Sequence, residues 1–177
     1  MRKITDVSEL DGLYDPPVPA ALAEVSNVLT PLYRRWIGAA RFVVISTVGP
    51  ESTDGSPRGD VDPVARIGDE KTIFIPDWRG NNRLDTLRNI VSDGRASLMF
   101  MIPGCENVVR VNGSAVVTND TDLLRTFEKA GKAPCTVIAL SVGEVYFQCA
   151  KALMRSKLWS GQDLSNDVPT AGEFIRE

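Results

Sequence analysis

Histidine is missing from all 177 residues. That absence removes the commonest general acid and base, the Ser-His and Cys-His nucleophile pairs, and every metal site built on imidazole. Cysteine is sparse. Cys105, Cys135 and Cys149 form no CxxC pair, lack zinc-site spacing, and are odd in number. They are expected as reduced, buried or half-buried small residues, with no bound metal. No GxGxxG, GxxxxGKS or GxxxxGKT occurs, so the dinucleotide and P-loop readings lack their signatures. No apolar run reaches membrane-spanning length, and the N-terminus carries no apolar signal segment, so a cytoplasmic protein without membrane contact is expected. Neither an internal repeat nor a low-complexity tract is present. Net charge is −3 with Lys and Arg spread along the chain, which argues against a dedicated nucleic-acid surface but leaves room for a local basic pocket. Any chemistry must run on Arg, Lys, carboxylates, hydroxyls, the three thiols or a bound cofactor. A chain without the usual titrating side chain suits cofactor chemistry, in which the protein binds and orients; a non-enzyme would look the same.

What is present suits a single domain over residues 1–177, with 43% apolar and 24% charged residues. Residues 1–17 read as a polar N-terminal arm and 160–177 as a polar C-terminal tail. From Pro19, the spacing of Ala21, Leu22, Val25, Val28 and Leu29 predicts a helix, with Thr30-Pro31 breaking or kinking it. A second helical piece follows through Trp36 and Ile37 and stops at Gly38. Arg41–Thr47 is β-branched and aromatic and reads as a buried strand. A turn-rich stretch from Gly49 to Gly55 leads to an extended run ending near Ile67. Gly68-Asp69-Glu70 signals a hairpin into Lys71–Pro76. Asn81 or Asn82 is placed to cap a helix reaching Val91, ended by Ser92-Asp93-Gly94. Strands are expected over Arg95–Ile102 and Asn107–Thr118, with Gly113 at a bulge or a close approach. Asp120 or Thr121 caps a short helix closed by Gly131. Two last strands, Val137–Leu140 and Glu144–Gln148, precede a short helix over Cys149–Met154. Five or six strands in sequential hairpins, with helices at edges and crossovers, predict a mainly β (α+β) antiparallel barrel, closed or nearly closed.

Four clusters carry chemistry. Arg79 and Arg83 flank Gly80-Asn81-Asn82 where a strand hands over to a helix, so guanidinium forks and unpaired helix N–H groups converge on one place. That is what a phosphate monoester requires. The alternative is a solvated loop in which the arginines pair with Asp77 and Asp85. In Ser56-Pro57-Arg58-Gly59-Asp60, Arg58 and Asp60 either face a polar ligand or pair with one another on a surface turn. Alternation puts Arg110 and Asn112 on one strand face, opposite Val109 and Val111; that face is solvent or lines a site. Lys151, Arg155, Ser156 and Trp159 form a basic, aromatic-ended segment able to hold an anion and stack on a planar ring; alternatively Trp159 packs on the barrel end.

Taken in order, these stretches resemble a bacterial subgroup of the pyridoxamine 5′-phosphate oxidase-like flavoproteins. The resemblance runs from RFVVIST at 41–47 through SPRGD at 56–60, IPDWRGNNRLDTLRNI at 75–90, FMIPG at 100–104 and VRVNG at 109–113 to FQCAKALMRSKLW at 147–159. It implies a split β-barrel homodimer with two FMN molecules at the subunit interface, a small-molecule redox substrate, and a redox step performed by the isoalloxazine. Asn81 and Arg83 stand where the family's Ser-x-Lys element holds the FMN phosphate, with Arg79 and Asn82 beside them. Arg58, Gly59 and Asp60 would lie along the flavin ring with Thr47 near it and Arg110 on the adjoining strand. Lys151, Arg155, Ser156 and Trp159 would approach from a C-terminal segment, of the same subunit or the other. No catalytic residue is assigned. The oxidases that give the family its name carry an RxVLLK strand motif, a glutamine where Val108 stands, and a C-terminal Arg-x-His segment; none is present here, so their activity is not expected. A non-catalytic flavin or tetrapyrrole (haem) binder, a flavin-free barrel, and a deazaflavin (F420) in place of FMN remain open alternatives.

Overall fold

A computed structural model describes every residue except Ala20, Ala21, Ala23, Glu51 and Glu177. The strands are β1 (Phe42–Val48), β2 (Thr53–Gly59), β3 (Arg66–Ile67), β4 (Thr72–Asp77), β5 (Arg95–Met101), β6 (Val108–Thr118) and β7 (Thr136–Gln148). The helices are α1 (Val7–Asp11), α2 (Pro31–Ile37), α3 (Asp85–Ser92), α4 (Thr121–Thr126), α5 (Lys151–Ser156) and α6 (Ala171–Arg176). All seven strands join one antiparallel sheet in the order β2-β1-β5-β6-β7-β4-β3. The sheet curls into a half-closed barrel, and its two end strands, β2 and β3, form no ladder with each other.

The pattern of β1 shows why the core lies where it does. Val43, Ile45 and Thr47 alternate inward and are buried, as period-two geometry requires. Val109 and Val111 of β6, Leu98 and Phe100 of β5, Ile73 and Ile75 of β4, and Ile138 and Leu140 of β7 join them in one hydrophobic cluster. Full burial of each such side chain contributes roughly 1.5–3 kcal/mol. Helix α2 adds Ile37, and α3 adds Ile90.

Several expectations need correction. The helix expected through Leu29 is absent from Glu24 onward; Ala21 lies outside the described residues. Ser26 instead exchanges both backbone hydrogen bonds with Val145, at 2.9 and 2.7 Å, so the sheet claims this segment. Thr30-Pro31 starts a helix instead of kinking one: Thr30 is the N-cap of α2 and Pro31 takes its first turn, where a missing N–H costs nothing. The polar arm contains α1, capped by Asp6 and burying no residue. Strand β2 begins at Thr53, inside the expected loop. Cys105 is half-buried, but Cys135 and Cys149 are exposed, and all three are free thiols. Among the described residues no helix is long and apolar enough to cross a membrane, and no cluster of metal-binding side chains occurs.

The two strands expected over 137–148 are one continuous strand. The break in pattern at Ser141–Gly143 is a bulge: Asn112 pairs with Glu144 but Gly113 pairs with Val142, leaving Gly143 unopposed. Gly113 sits against the Ser141 carbonyl, which a Cβ would overlap, so the bend tolerates no side chain there. Gly113→Ala is therefore expected to destabilise the fold by about 2 kcal/mol or more, whereas Gly55→Ala, which meets open space on β2, should change stability by less than about 0.5 kcal/mol. Urea unfolding of the two variants checks this; equal stabilities would mean the bulge is not sterically required.

Candidate functional site

Asp54, Ser56 and Arg58 alternate onto the half-buried face of β2, directly opposite Thr47, Ile45 and Val43 of β1. That face looks across the seam where β2 meets β4 without a ladder, so side chains do the bridging. Arg58 donates from its guanidinium to Asp77 at the end of β4, 3.3 Å away, and also to Ser56 Oγ and the Pro57 carbonyl. Both charged side chains are largely sheltered, at 26% and 15% exposure, which makes this pair firmer than an ordinary surface bridge. A further side-chain bond runs from Thr86 Oγ1 on α3 to the Asp54 carboxylate.

The loop between β4 and α3 forms the remaining wall. Asn81 Oδ1 accepts from the Arg83 backbone N–H at 3.0 Å, an Asx-type turn, and Asn82 adopts a left-handed φ of 60°. Neither asparagine caps the helix, contrary to the sequence expectation. Helix α3 begins only at Asp85, and its N-cap, Leu84, makes no side-chain hydrogen bond. The Asn81 amide oxygen is used three residues too early to reach the helix. Arg83 is exposed and donates through Nε to Asp85 at 2.6 Å, the pairing that the solvated-loop alternative foresaw. The hydrogen bond and charge of Asp85, with a smaller contribution from Asp54, hold this guanidinium above its ordinary pKa. Arg79 is exposed and makes no ion pair among the described residues.

Together these walls enclose a cleft of about 680 Å³ that also reaches Trp78, Cys135 and Thr136. Arg58, Arg79 and Arg83 face Asp54, Asp77 and Asp85 across it, so the lining is formally neutral. Thr136, the ladder partner of Asp77, carries a buried hydroxyl with no hydrogen-bond partner among the described residues. Such a group is uncommon in a folded protein and calls for an explanation.

The structure thus gathers Arg58, Arg79, Asn81, Asn82 and Arg83 in one cleft and leaves the other candidates outside its lining. Thr47 is buried at 2% exposure and accepts from Asn89 Nδ2 of α3 at 3.1 Å; it borders a second hollow on the β1–β5 side. Gly59 lies exposed at the end of β2, opposite Phe42. Asp60 does not pair with Arg58; it accepts from Lys129 Nζ at 2.8 Å, which also reaches Asp62 at 3.0 Å. Arg110 shares a face with Asn112, opposite buried Val109 and Val111, and its guanidinium lies 5.3 Å from the Tyr146 ring. Lys151, Arg155 and Ser156 are exposed on α5, and Trp159 donates from Nε1 to the Cys105 carbonyl at 2.9 Å, which pins this segment to the β5–β6 turn. Asp54, Thr86, Asn89 and Thr136 are cleft or support residues that the sequence did not single out. The alternation Asp54-x-Ser56-x-Arg58 was a signal for the first; the others depend on what folds against them.

Residues 29–149 match the protein family described as pyridoxamine 5′-phosphate oxidase. No curated protein matches the chain. Among solved structures, a point variant of HupZ from Group A Streptococcus superposes with a TM-score of 0.56 at 16% identity, covering 68% of this chain and 99% of that one. A Lactobacillus delbrueckii protein provisionally described as a pyridoxamine 5′-phosphate oxidase gives 0.54 at 20% identity, covering 68% and 95%. At these identities the likeness is one of fold, and the half-closed sheet is the split β-barrel of this family.

The Lys129 contact has a definite pH signature. The hydrogen bond from its ammonium, the largest influence, holds the Asp60 carboxyl below its ordinary value of 3.8. A carboxyl with a lowered folded pKa stabilises above its unfolded value, and that contribution disappears as pH falls through the folded one. Lys129→Met should therefore lower stability near neutral pH by less than about 1 kcal/mol, because the pair is partly solvated, and by progressively less as Asp60 becomes protonated. Urea unfolding of both proteins from about pH 7 to about pH 2.5 tests this; a constant difference across that range would exclude the ion pair as its source.

Proposed function

Since the chain belongs to the pyridoxamine 5′-phosphate oxidase family, we propose that it is an FMN-binding oxidoreductase that holds its flavin by the phosphate, in the cleft between β2, β4 and the start of α3. One observation carries the reading. Three arginines line a cleft beside an uncapped helix start, and Thr136, whose buried hydroxyl has no hydrogen-bond partner among the described residues, borders it. This donor set fits a phosphate monoester: guanidinium forks supply paired charge-assisted donors, and unsatisfied first-turn N–H groups favour an anion. It fits FMN better than a dinucleotide, for which no glycine-rich signature exists.

When bound, the isoalloxazine supplies the redox chemistry, and the protein binds and orients it. Arg79, with no carboxylate partner among the described residues, is available to the phosphate directly. Arg83 offers its terminal nitrogens while Asp85 occupies Nε. Arg58 is held across the seam by Asp77, which keeps one cation at the cleft floor. The same reading takes the working form as a twofold homodimer, in which Arg110 and the segment from Lys151 to Trp159 serve the cleft of a second copy.

Two measurements test this. The purified protein should absorb as an oxidised flavin, release FMN on heating, and scatter light as a dimer; stoichiometric FAD, no uptake of added FMN, or a monomer mass for the loaded protein would each contradict the corresponding part. Second, Arg83→Ala should weaken FMN binding roughly ten- to a hundredfold, as loss of one charge-assisted bond would, and leave riboflavin affinity nearly unchanged. Equal losses for both ligands would indicate general damage, and no loss for either would confine Arg83 to its pair with Asp85.

A further inference from the structure

Helix α3 packs on β1, β2 and β6 and buries three residues, of which two, Thr86 and Asn89, are polar. Each sends one hydrogen bond to the β1–β2 hairpin: Thr86 Oγ1 to the Asp54 carboxylate, and Asn89 Nδ2 to Thr47 Oγ1 at 3.1 Å. Thr47 and Asp54 are direct ladder partners. Two helix residues three apart, on one face, therefore grip both ends of a single rung.

Seating a helix on a hydrophobic sheet does not require this. Replacing both members of a buried hydrogen-bonded pair by apolar groups of similar shape is often neutral or stabilising, so leucine and valine would seat the helix as well. Apolar packing lacks direction, however, and permits a helix to slide or turn on its seat, whereas a buried hydrogen bond is met at one distance and angle. The chain also reserves space for the polar choice. A Cβ on Gly49 would overlap the Asn89 amide, so this contact exists because residue 49 has no side chain.

We propose that Thr47, Asp54, Thr86 and Asn89 are positioning residues: they lock α3 on one rung of the hairpin and thereby fix the Arg79–Arg83 donors that enter it. This rests on the phosphate-binding reading above and names the residues that set the geometry of that site. The loop carrying Arg79 and Arg83 has little else to hold it, since its described hydrogen bonds are the local Asn81 turn and the Arg83–Asp85 contact. Donors on such a loop are only as well placed as the helix they run into.

The test is the double variant Thr47→Val/Asn89→Leu, with Thr47→Ser as the conservative control that keeps the hydroxyl. The double variant should retain its urea midpoint, yet show at least about tenfold faster amide exchange over residues 79–85 and about tenfold weaker FMN binding, with riboflavin affinity unchanged. Thr47→Ser should behave as wild type. Unchanged exchange in a stably folded double variant overturns the proposal, as does an equal loss of FMN and riboflavin affinity. Should the double variant fail to fold, Gly49→Ala, which displaces only the Asn89 amide, is expected to give the same exchange and affinity changes, and their absence counts equally against it. Wild-type protein that takes up neither flavin removes the phosphate reading, and the exchange comparison alone then decides whether the rung positions the loop.

Discussion

Where β6 and β7 slip by one residue at Gly113 and Gly143, two long strands bend together, and the rest of the sheet follows the bend. Each strand of this pair also serves a second neighbour: β6 carries β5 and through it β1 and β2, while β7 carries β4 and β3. The bulge curls one continuous ladder until its ends approach without pairing. Backbone hydrogen bonds therefore cannot close the barrel, and the task passes to side chains. Arg58 reaching Asp77 is the consequence, and the cleft is the space that remains.

The electrostatics of that space favour selectivity over raw attraction. A lining with three arginines alone would draw in any anion and repel its own members; Asp77 holds Arg58 and Asp85 holds Arg83, and Asp54 balances the remaining charge. The carboxylates also set an ordering. Arg58 is committed to a sheltered partner, Arg83 is committed through one nitrogen on the surface, and Arg79 has no such commitment. A doubly charged ligand with several acceptor oxygens can use the remaining donors without breaking the sheltered pair, which a singly charged ligand exploits less fully. The Thr136 hydroxyl, without a partner among the described residues, borders the same site.

Much of the fold was legible from local pattern. The inward row of β1, the Gly68–Glu70 hairpin, the end of α3 at Ser92-Asp93-Gly94, and the special role of Gly113 each express a constraint on a few consecutive residues. The errors share one cause. Val25–Leu29 have helical spacing, but Ser26 finds a strand partner in Val145, more than a hundred residues away. Ser141-Val142-Gly143 looks like a break because its glycine is conspicuous, whereas the ladder simply absorbs one extra residue. Asn81 and Asn82 carry capping side chains, yet the Asx turn takes the first and a left-handed backbone the second before the helix starts.

The sequence by itself determined which chemistry was available: no imidazole, few thiols, no dinucleotide loop, and arginines concentrated between a strand and a helix. It also determined the period of each strand, because alternation is a property of neighbouring residues. Only the tertiary structure decided which charges meet. Asp77 was a plausible partner for Arg79, but it faces Arg58; Asp60 was a plausible partner for Arg58, but it faces Lys129. Ion pairs and cleft walls depend on distances between segments far apart in the chain, set by how the sheet bends, and no local pattern encodes those distances.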